Sequence, residues 1–422
     1  MALQGPFAVI ADSQAPGVVE ALRAAGAFPI IEATWNEAAT ALDSVEPEAL
    51  ILADPCPDRA RAAALAEVLA EQREHSGLYM PVIALTRDDG APSIPDALAI
   101  AAAAPAPRLI RRLSTALRIR NLHGTVLRRI RTLLSRGETA PELSSADPLG
   151  EATVLVAGRG RSYPNLSVAV GERVAVVGAL SVESAARALK NRDIDGVVIG
   201  DGFGARIVEA LLTVLAEDLR FRDLPVAVLG GQPGLVESFA MELANIERVG
   251  EGVQRLVDRF IPYVRAYAYG QRFKRMLKSL DARGMLDPDT GLLAHDAFWR
   301  DLNRAVDDAE KRGVGLSIAR FSFAGADRRL GLDAARLVGR LLRQIDFACR
   351  EADNSVFAVF TETDLRAAHV VARRIASVLK HTMLAPDRDR TGIEAEVTLA
   401  TLKPTDSVDS LIARVVGEVA AG

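Results

Sequence analysis

The stretch ALILAD, Ala49–Asp54, is a short apolar run closed by a carboxylate, and GVVIGD, Gly196–Asp201, repeats that form. The two aspartates lie 147 positions apart. The same offset pairs Arg108 with Arg255, Leu109 with Leu256, Arg112 with Arg259, Arg118 with Arg265 and Arg128 with Arg275. So many coincidences at one spacing point to a duplicated domain, and small drifts at the first and fourth strands are what loop insertions produce. FAVIAD (7–12) and PVIALT (81–86) accompany the first copy, TVLVAG (153–158) and PVAVLG (225–230) the second. Helical stretches such as GVVEALRAAG (17–26) separate them. Apolar strands alternating with helices predict a parallel sheet covered on both faces. The expected fold is therefore two doubly wound (βα)5 domains, residues 1–133 and 151–265, followed by a third α+β block.

The bulk numbers agree with several soluble cores. The chain has 422 residues, 49% apolar and 25% charged, which is too long for one ordinary domain. A net charge of −4 argues against a dedicated nucleic-acid partner. Two distant cysteines, Cys56 and Cys349, suit a reducing compartment. No leader pattern opens the chain, and ALAIAAAAPAP (97–107) is broken by Pro105 and Pro107 and too short to span a bilayer. A cytoplasmic protein without membrane insertion is expected.

Each copy ends in a long arginine-rich helical pattern, PRLIRRLSTALRIRNLHGTVLRRIRTLLSR (107–136) and QRLVDRFIPYVRAYAYGQRFKRMLKSLDAR (254–283). Such a helix can bind nucleic acid or anionic lipid. The reading adopted is a connector that packs on a neighbour with its arginines solvated. Residues 134–150 are a polar linker and 266–284 a linker helix, and the third block occupies 285–422. GRGRSYP (158–164) lacks the third glycine of a phosphate loop, so it reads as a turn.

Up to Gly150 the layout resembles the receiver domain of two-component response regulators. That resemblance implies that Asp54 is the phosphoryl acceptor, that Asp12 belongs to the acids holding Mg²⁺, and that Thr86 is the hydroxyl reading the phosphate. A histidine kinase or phosphotransfer protein would be the partner. A carboxylate attacking a charged phosphoryl group needs its charge offset. The family's lysine is missing, however: no lysine precedes Lys190. In the second copy Asp201 remains, but Gly158 and Gly230 replace Asp12 and Thr86. That copy reads as an adaptor.

In the third block, DPDTGL (287–292) resembles the opening of diguanylate cyclase (GGDEF) domains, with Phe298 at an aromatic position. VGLSIARFSF (314–323) and EAEVTLATL (394–402) follow that family's strand order. The whole is similar to PleD/PopA-type response regulators. A cyclase needs carboxylate-held metal and backbone room for triphosphate. At the matching positions stand Arg320 and Ser322 in place of two acids, and Ala352, Asp353, Asn354 and Ser355 in place of Gly-Gly-acid-acid. AGADRRLGLDAARL (324–337) is shorter than the guanine-binding segment, and the closing ARVVGEVAAG (413–422) lacks the family's final motif. No catalytic residues are therefore expected.

The product site of that family is an Arg-x-x-Asp plus a distal arginine, here Arg343, Asp346 and Arg374, expected in one pocket. Guanidinium groups can bond guanine O6 and N7 or stack on a purine, and a carboxylate can accept from guanine N1 and N2. Arg173 of the second copy is a further contact by the same resemblance. The resemblance implies a non-catalytic cyclic di-GMP effector, dimeric, placed at a cell pole. It would deliver a proteolytic adaptor and a transcription-regulator substrate for cell-cycle degradation. The rival readings are a cyclase with an unusual metal site and a nucleotide-independent dimeric scaffold.

Overall fold

The computed structural model describes residues 3–13, 15–87, 90–230, 234–250, 252–323, 327–382 and 393–417. The chain forms two compact units. One comprises Pro6–His123 and Ser144–Phe273, the other Met1–Gly5, Gly124–Leu143 and Lys274–Gly422.

The first copy runs β1 (Gln4–Ile10), α1 (Pro16–Ala24), β2 (Phe28–Ala33), α2 (Ala38–Ser44) and β3 (Ala49–Leu52). It continues with α3 (Arg59–Ser76), β4 (Val82–Thr86), β5 (Leu98–Ala101) and α4 (Ala106–Ser135). The second runs β6 (Thr153–Ala157), α5 (Tyr163–Gly171), β7 (Ala175–Ala179), α6 (Val182–Asn191) and β8 (Gly196–Ile199). After it come α7 (Ala205–Glu217), β9 (Val226–Leu229), α8 (Leu235–Ser238), β10 (Ile246–Val249) and α9 (Val253–Asp281). The sheets have orders β2-β1-β3-β4-β5 and β10-β9-β8-β6-β7. Counted within each copy, both are 2-1-3-4-5, a common doubly wound order. Every residue of β3 and β8 is buried, as central parallel strands covered on two faces must be. Asp54 and Asp201 follow these strands.

Two sequence expectations need correction. The (βα)5 count fails at the fourth helix: among the described residues the β4–β5 connection is non-helical, and α8 has four residues. Gly90, Pro92 and Pro95 break any helical run there. The connector arginines, moreover, are not all solvated: Arg131, Arg255 and Arg275 are exposed, but others are not. Arg112 and Arg259, equivalent positions of the repeat, are each 1% exposed, and Arg120 and Arg272 are buried too. Arg112 and Arg259 bond from one copy to the other, beside the stack of His123 on Phe273 at 4.1 Å. Arg112, Arg259 and Arg108 all pair with Glu247 of β10.

In the other unit, α10 (His295–Arg312), β11 (Leu316–Phe323), α11 (Arg328–Leu341), β12 (Phe347–Arg350) and β13 (Val356–Thr361) follow. The chain then forms α12 (Leu365–His381), β14 (Ala395–Thr401) and α13 (Val408–Val416). The sheet order is β12-β13-β11-β14, and all three pairings are antiparallel. The end of α4 anchors on α10 in this unit. Asp301, fully buried, pairs with Arg128 at 3.0 Å and Arg129 at 3.2 Å and accepts from Thr132. Part of the 324–337 stretch becomes α11, while residues 324–326 and 418–422 lie outside the described residues.

Candidate functional site

In the first copy, Asp54 and Thr86 line a cavity of about 260 Å³ with Trp35, Cys56 and Gly90. The Asp54 carboxylate accepts from the backbone N–H of Ser13 at 2.9 Å and from its hydroxyl. Asp12 accepts from the Trp35 N–H at 2.9 Å. Each acid that would hold Mg²⁺ thus has one oxygen engaged by the fold. Thr86 is turned to β5, its hydroxyl 3.3 Å from the Ile100 carbonyl. In the second copy GRGRSYP is a turn closing over Asp201: Gly160 N–H donates to the Asp201 carbonyl, and Ser162 N–H to its carboxylate. A Cβ at Gly160 would meet that carboxylate, so a larger residue would have to push the Asp201 side chain aside.

The third block contains the larger cavity, about 1120 Å³. The turn from α11 into β12 supplies Arg343 and Asp346, and α11 itself adds Arg336 and Arg340. The opposite lining comes from α9 and α4: Lys274, Arg275, Lys278 and Asp281, with Arg129. Asp289 of the 287–292 turn completes the charged set. Seven cationic side chains therefore face three carboxylates, a balance that suits a polyanion. The guanidinium groups of Arg343 and Arg340 and the ammonium of Lys278 make no hydrogen bond or ion pair among the described residues.

Asp346 holds the turn. One oxygen accepts from the Arg343 N–H at 3.3 Å, the other from the Thr361 N–H at 3.1 Å. Burial pushes its carboxyl up to about 6 against the pull of Arg343 and those two N–H groups. Arg343 and Asp346 thus share one cavity, as their spacing predicts. Arg374, exposed on α12, does not line it. Arg173 is exposed just beyond α5. Arg336, Arg340 and Lys278 went unnoticed in the sequence. Their only local mark is the i, i+4 spacing of the two arginines, shared by many solvated helix faces.

The β12–β13 hairpin carries the positions expected from the sequence to be degenerate. Arg320, on β11, donates to Asp353 at 2.6 Å and to the Ser355 hydroxyl at 3.3 Å. Ser355 in turn donates to Asp353 from its N–H at 2.9 Å and its hydroxyl at 2.6 Å. Ala352 precedes this network in the turn, and Ser322 lies two residues beyond Arg320 on β11. Asn354 adopts φ +66°, the left-handed region, and accepts from Arg350 at 2.7 Å. Among the described residues no group of three or more His, Cys, Asp or Glu side chains could hold a metal ion. None of the described helices is long and apolar enough to cross a membrane.

No family model matches the chain, and no curated protein does. Solved structures to which it is similar include the coiled coil and GGDEF domain of DgcB from Caulobacter crescentus in complex with c-di-GMP. The identity is 20% and the TM-score 0.31, over 35% of this chain and 84% of that one. A sensory box/GGDEF family protein from the same organism is 18% identical, with TM-score 0.29, over 32% of this chain and 94% of that one. The FimX GGDEF domain from Pseudomonas aeruginosa is 15% identical, with TM-score 0.29, over 32% and 90%.

Proposed function

We propose that this chain is a non-catalytic receptor for cyclic di-GMP of the PleD/PopA type, with its ligand in the Arg343–Asp346 cavity. The observation that carries the reading is the excess of cations around that cavity, with Arg343, Arg340 and Lys278 unengaged among the described residues. A dinucleotide with two phosphates and two guanines offers matching anions and base edges. The volume, about 1120 Å³, is slightly larger than most small-molecule pockets, which span roughly 300–1,000 Å³. Since α4 and α9 supply part of the lining, the ligand would favour one arrangement of those helices and so control a docking surface. By resemblance, the output is recruitment of a proteolytic adaptor and its transcription-regulator substrate at a cell pole.

The Arg320–Asp353 pair supports the non-catalytic part: a guanidinium stands where a cyclase would need a metal-binding carboxylate. Calorimetric titration with cyclic di-GMP tests the reading. Binding by the wild type and its loss in Arg343→Ala are expected; no heat with the wild type, or equal heat with the variant, defeats it. Incubation with GTP and Mg²⁺ or Mn²⁺ should yield no product by chromatography.

A further inference from the structure

Guanine offers two donors side by side, N1–H and the 2-amino group, and a carboxylate can accept from both at once. Three carboxylates line the Arg343 cavity: Asp281, Asp289 and Asp346. Asp346 is taken up by the fold. Its two oxygens accept from the Arg343 and Thr361 N–H groups, and the residue is 8% exposed. Asp289 stands in water on its turn, with its side chain 53% exposed and 3.8 Å from Arg328. A hydrogen bond made there exchanges with water and discriminates little.

Asp281, the last residue of α9, differs from both. Its side chain is 25% exposed and makes no hydrogen bond among the described residues. Oδ1 is buried 3.6 Å from Arg129 Nε, close enough for an ion pair but without a hydrogen bond. Arg129 has a nearer carboxylate in Asp301, at 3.2 Å. Burial pushes the Asp281 carboxyl up, and Arg129 only partly offsets this. An acid is also poorly placed at a helix C-terminus, where the helix dipole is negative. A buried acceptor short of donors calls for an explanation. Two N–H groups of a ligand in the cavity would supply one.

We infer that Asp281 is the residue that reads guanine, accepting from N1–H and the 2-amino group, while Asp346 holds the turn that carries Arg343. Asp281 has this role only if the cavity takes cyclic di-GMP, as proposed above. The cations then take the phosphates or guanine O6 and N7, and α9 supplies the selectivity for the base. The ligand thereby grips the last turn of α9 directly, so its affinity depends on where that turn lies.

Calorimetric titration of the full chain with cyclic di-GMP and with its inosine analogue, which lacks the 2-amino group, tests the assignment. The wild type should bind cyclic di-GMP at least about tenfold more tightly than the analogue, as one hydrogen bond to a charged acceptor requires. Asp281→Ala should bind cyclic di-GMP more weakly and hold the two ligands within about twofold of each other. Asp346→Asn should weaken both ligands and keep the preference. Arg129 retains Asp301 in the Asp281→Ala protein, so the fold should survive. Where near-ultraviolet circular dichroism shows otherwise, Asp281→Asn replaces it, with a reduced preference expected because one amide oxygen serves only one of the two donors. An undiminished preference in the Asp281 variant, or equal affinities in the wild type, would overturn the assignment while leaving the receptor reading intact. A preference lost in Asp346→Asn but kept in the Asp281 variant would do the same. No binding of cyclic di-GMP by the wild type would defeat the receptor reading itself, and the role of Asp281 with it.

Discussion

Arg320 reaches from β11 to Asp353 in the β12–β13 turn, with 2.6 Å between guanidinium and carboxylate. Burial works to raise the Asp353 carboxyl, but hydrogen bonds from Ser355 and then Arg320 hold it below its usual range. The Asp353 side chain is 53% exposed, so solvent screens much of that attraction. Arg320→Ala should therefore cost no more than about 1 kcal/mol in thermal or urea denaturation. It should also create no cyclase activity, because one cation removed restores no metal ligand. Product from GTP in that variant would contradict the non-catalytic reading.

The cluster around Glu247 should behave in the opposite way. Glu247→Gln leaves the buried Arg112 and Arg259 and the half-buried Arg108 with no opposing charge among the cluster's described residues. Removing one partner from a buried ion pair costs about 3–5 kcal/mol. The unfolding transition of the two-copy unit should shift down accordingly, while the third block's transition stays in place. An effect below about 1 kcal/mol would mean the cluster is far wetter than its burial implies.

These two sites show what the sequence could and could not disclose. β3 and β8 were legible because a buried parallel strand is continuously apolar, and Asp54 and Asp201 end both runs. The burial of Arg112 and Arg259 was not, since their acceptors, Glu247, Ile246, Thr86 and Gly90, come from other strands and loops. Local composition makes such an arginine look solvated. The cavity was half legible: the Arg343–Asp346 spacing holds, whereas the contribution of α4 and α9 depends on tertiary packing. Arg374 matches a motif position yet lies on an exposed helix face away from the cavity.

His123 sets an acid limit on the two-copy unit. Its Nδ1 accepts from the Tyr79 N–H at 3.0 Å, which fixes the neutral tautomer with the proton on Nε2. Burial, and then Arg120, push its pKa down to about 4 from 6.5. In the unfolded chain the ring takes a proton below about pH 6.5, while the folded protein resists until about pH 4. Stability is thus fully present above pH 6.5 and falls as pH drops towards 4, by at most about 3 kcal/mol. Urea denaturation at stepped pH should show this slope, and His123→Phe should remove it.

Asp301 tests the anchoring of α4 on α10. Asp301→Ala strands Arg128, leaves Arg129 only its pairing with Asp281 at 3.6 Å, and removes an acceptor from Thr132. A loss of about 3–5 kcal/mol is expected in the unit that contains α10. Asp301→Asn should cost less, because an amide oxygen still accepts. Protease digestion should release the third block from the Asp301→Ala protein before the wild type is cut.

Asp346 titrates in the opposite direction from His123. Its folded pKa, about 6, lies above the ordinary 3.8, with burial the leading cause. Between those values the folded state holds a proton that the unfolded state has released. Stability therefore declines as pH rises from about 3.8 to 6, by at most about 3 kcal/mol. Asp346→Asn should abolish that dependence, at the cost of a hydrogen bond. Its single carbonyl oxygen can serve only one of the Arg343 and Thr361 N–H groups, and a buried unpaired donor costs about 1–3 kcal/mol. Because this turn carries Arg343 into the cavity, the same variant should bind cyclic di-GMP more weakly, even at a pH where it remains fully folded. Unchanged affinity in Asp346→Asn would show that Arg343 is positioned without it.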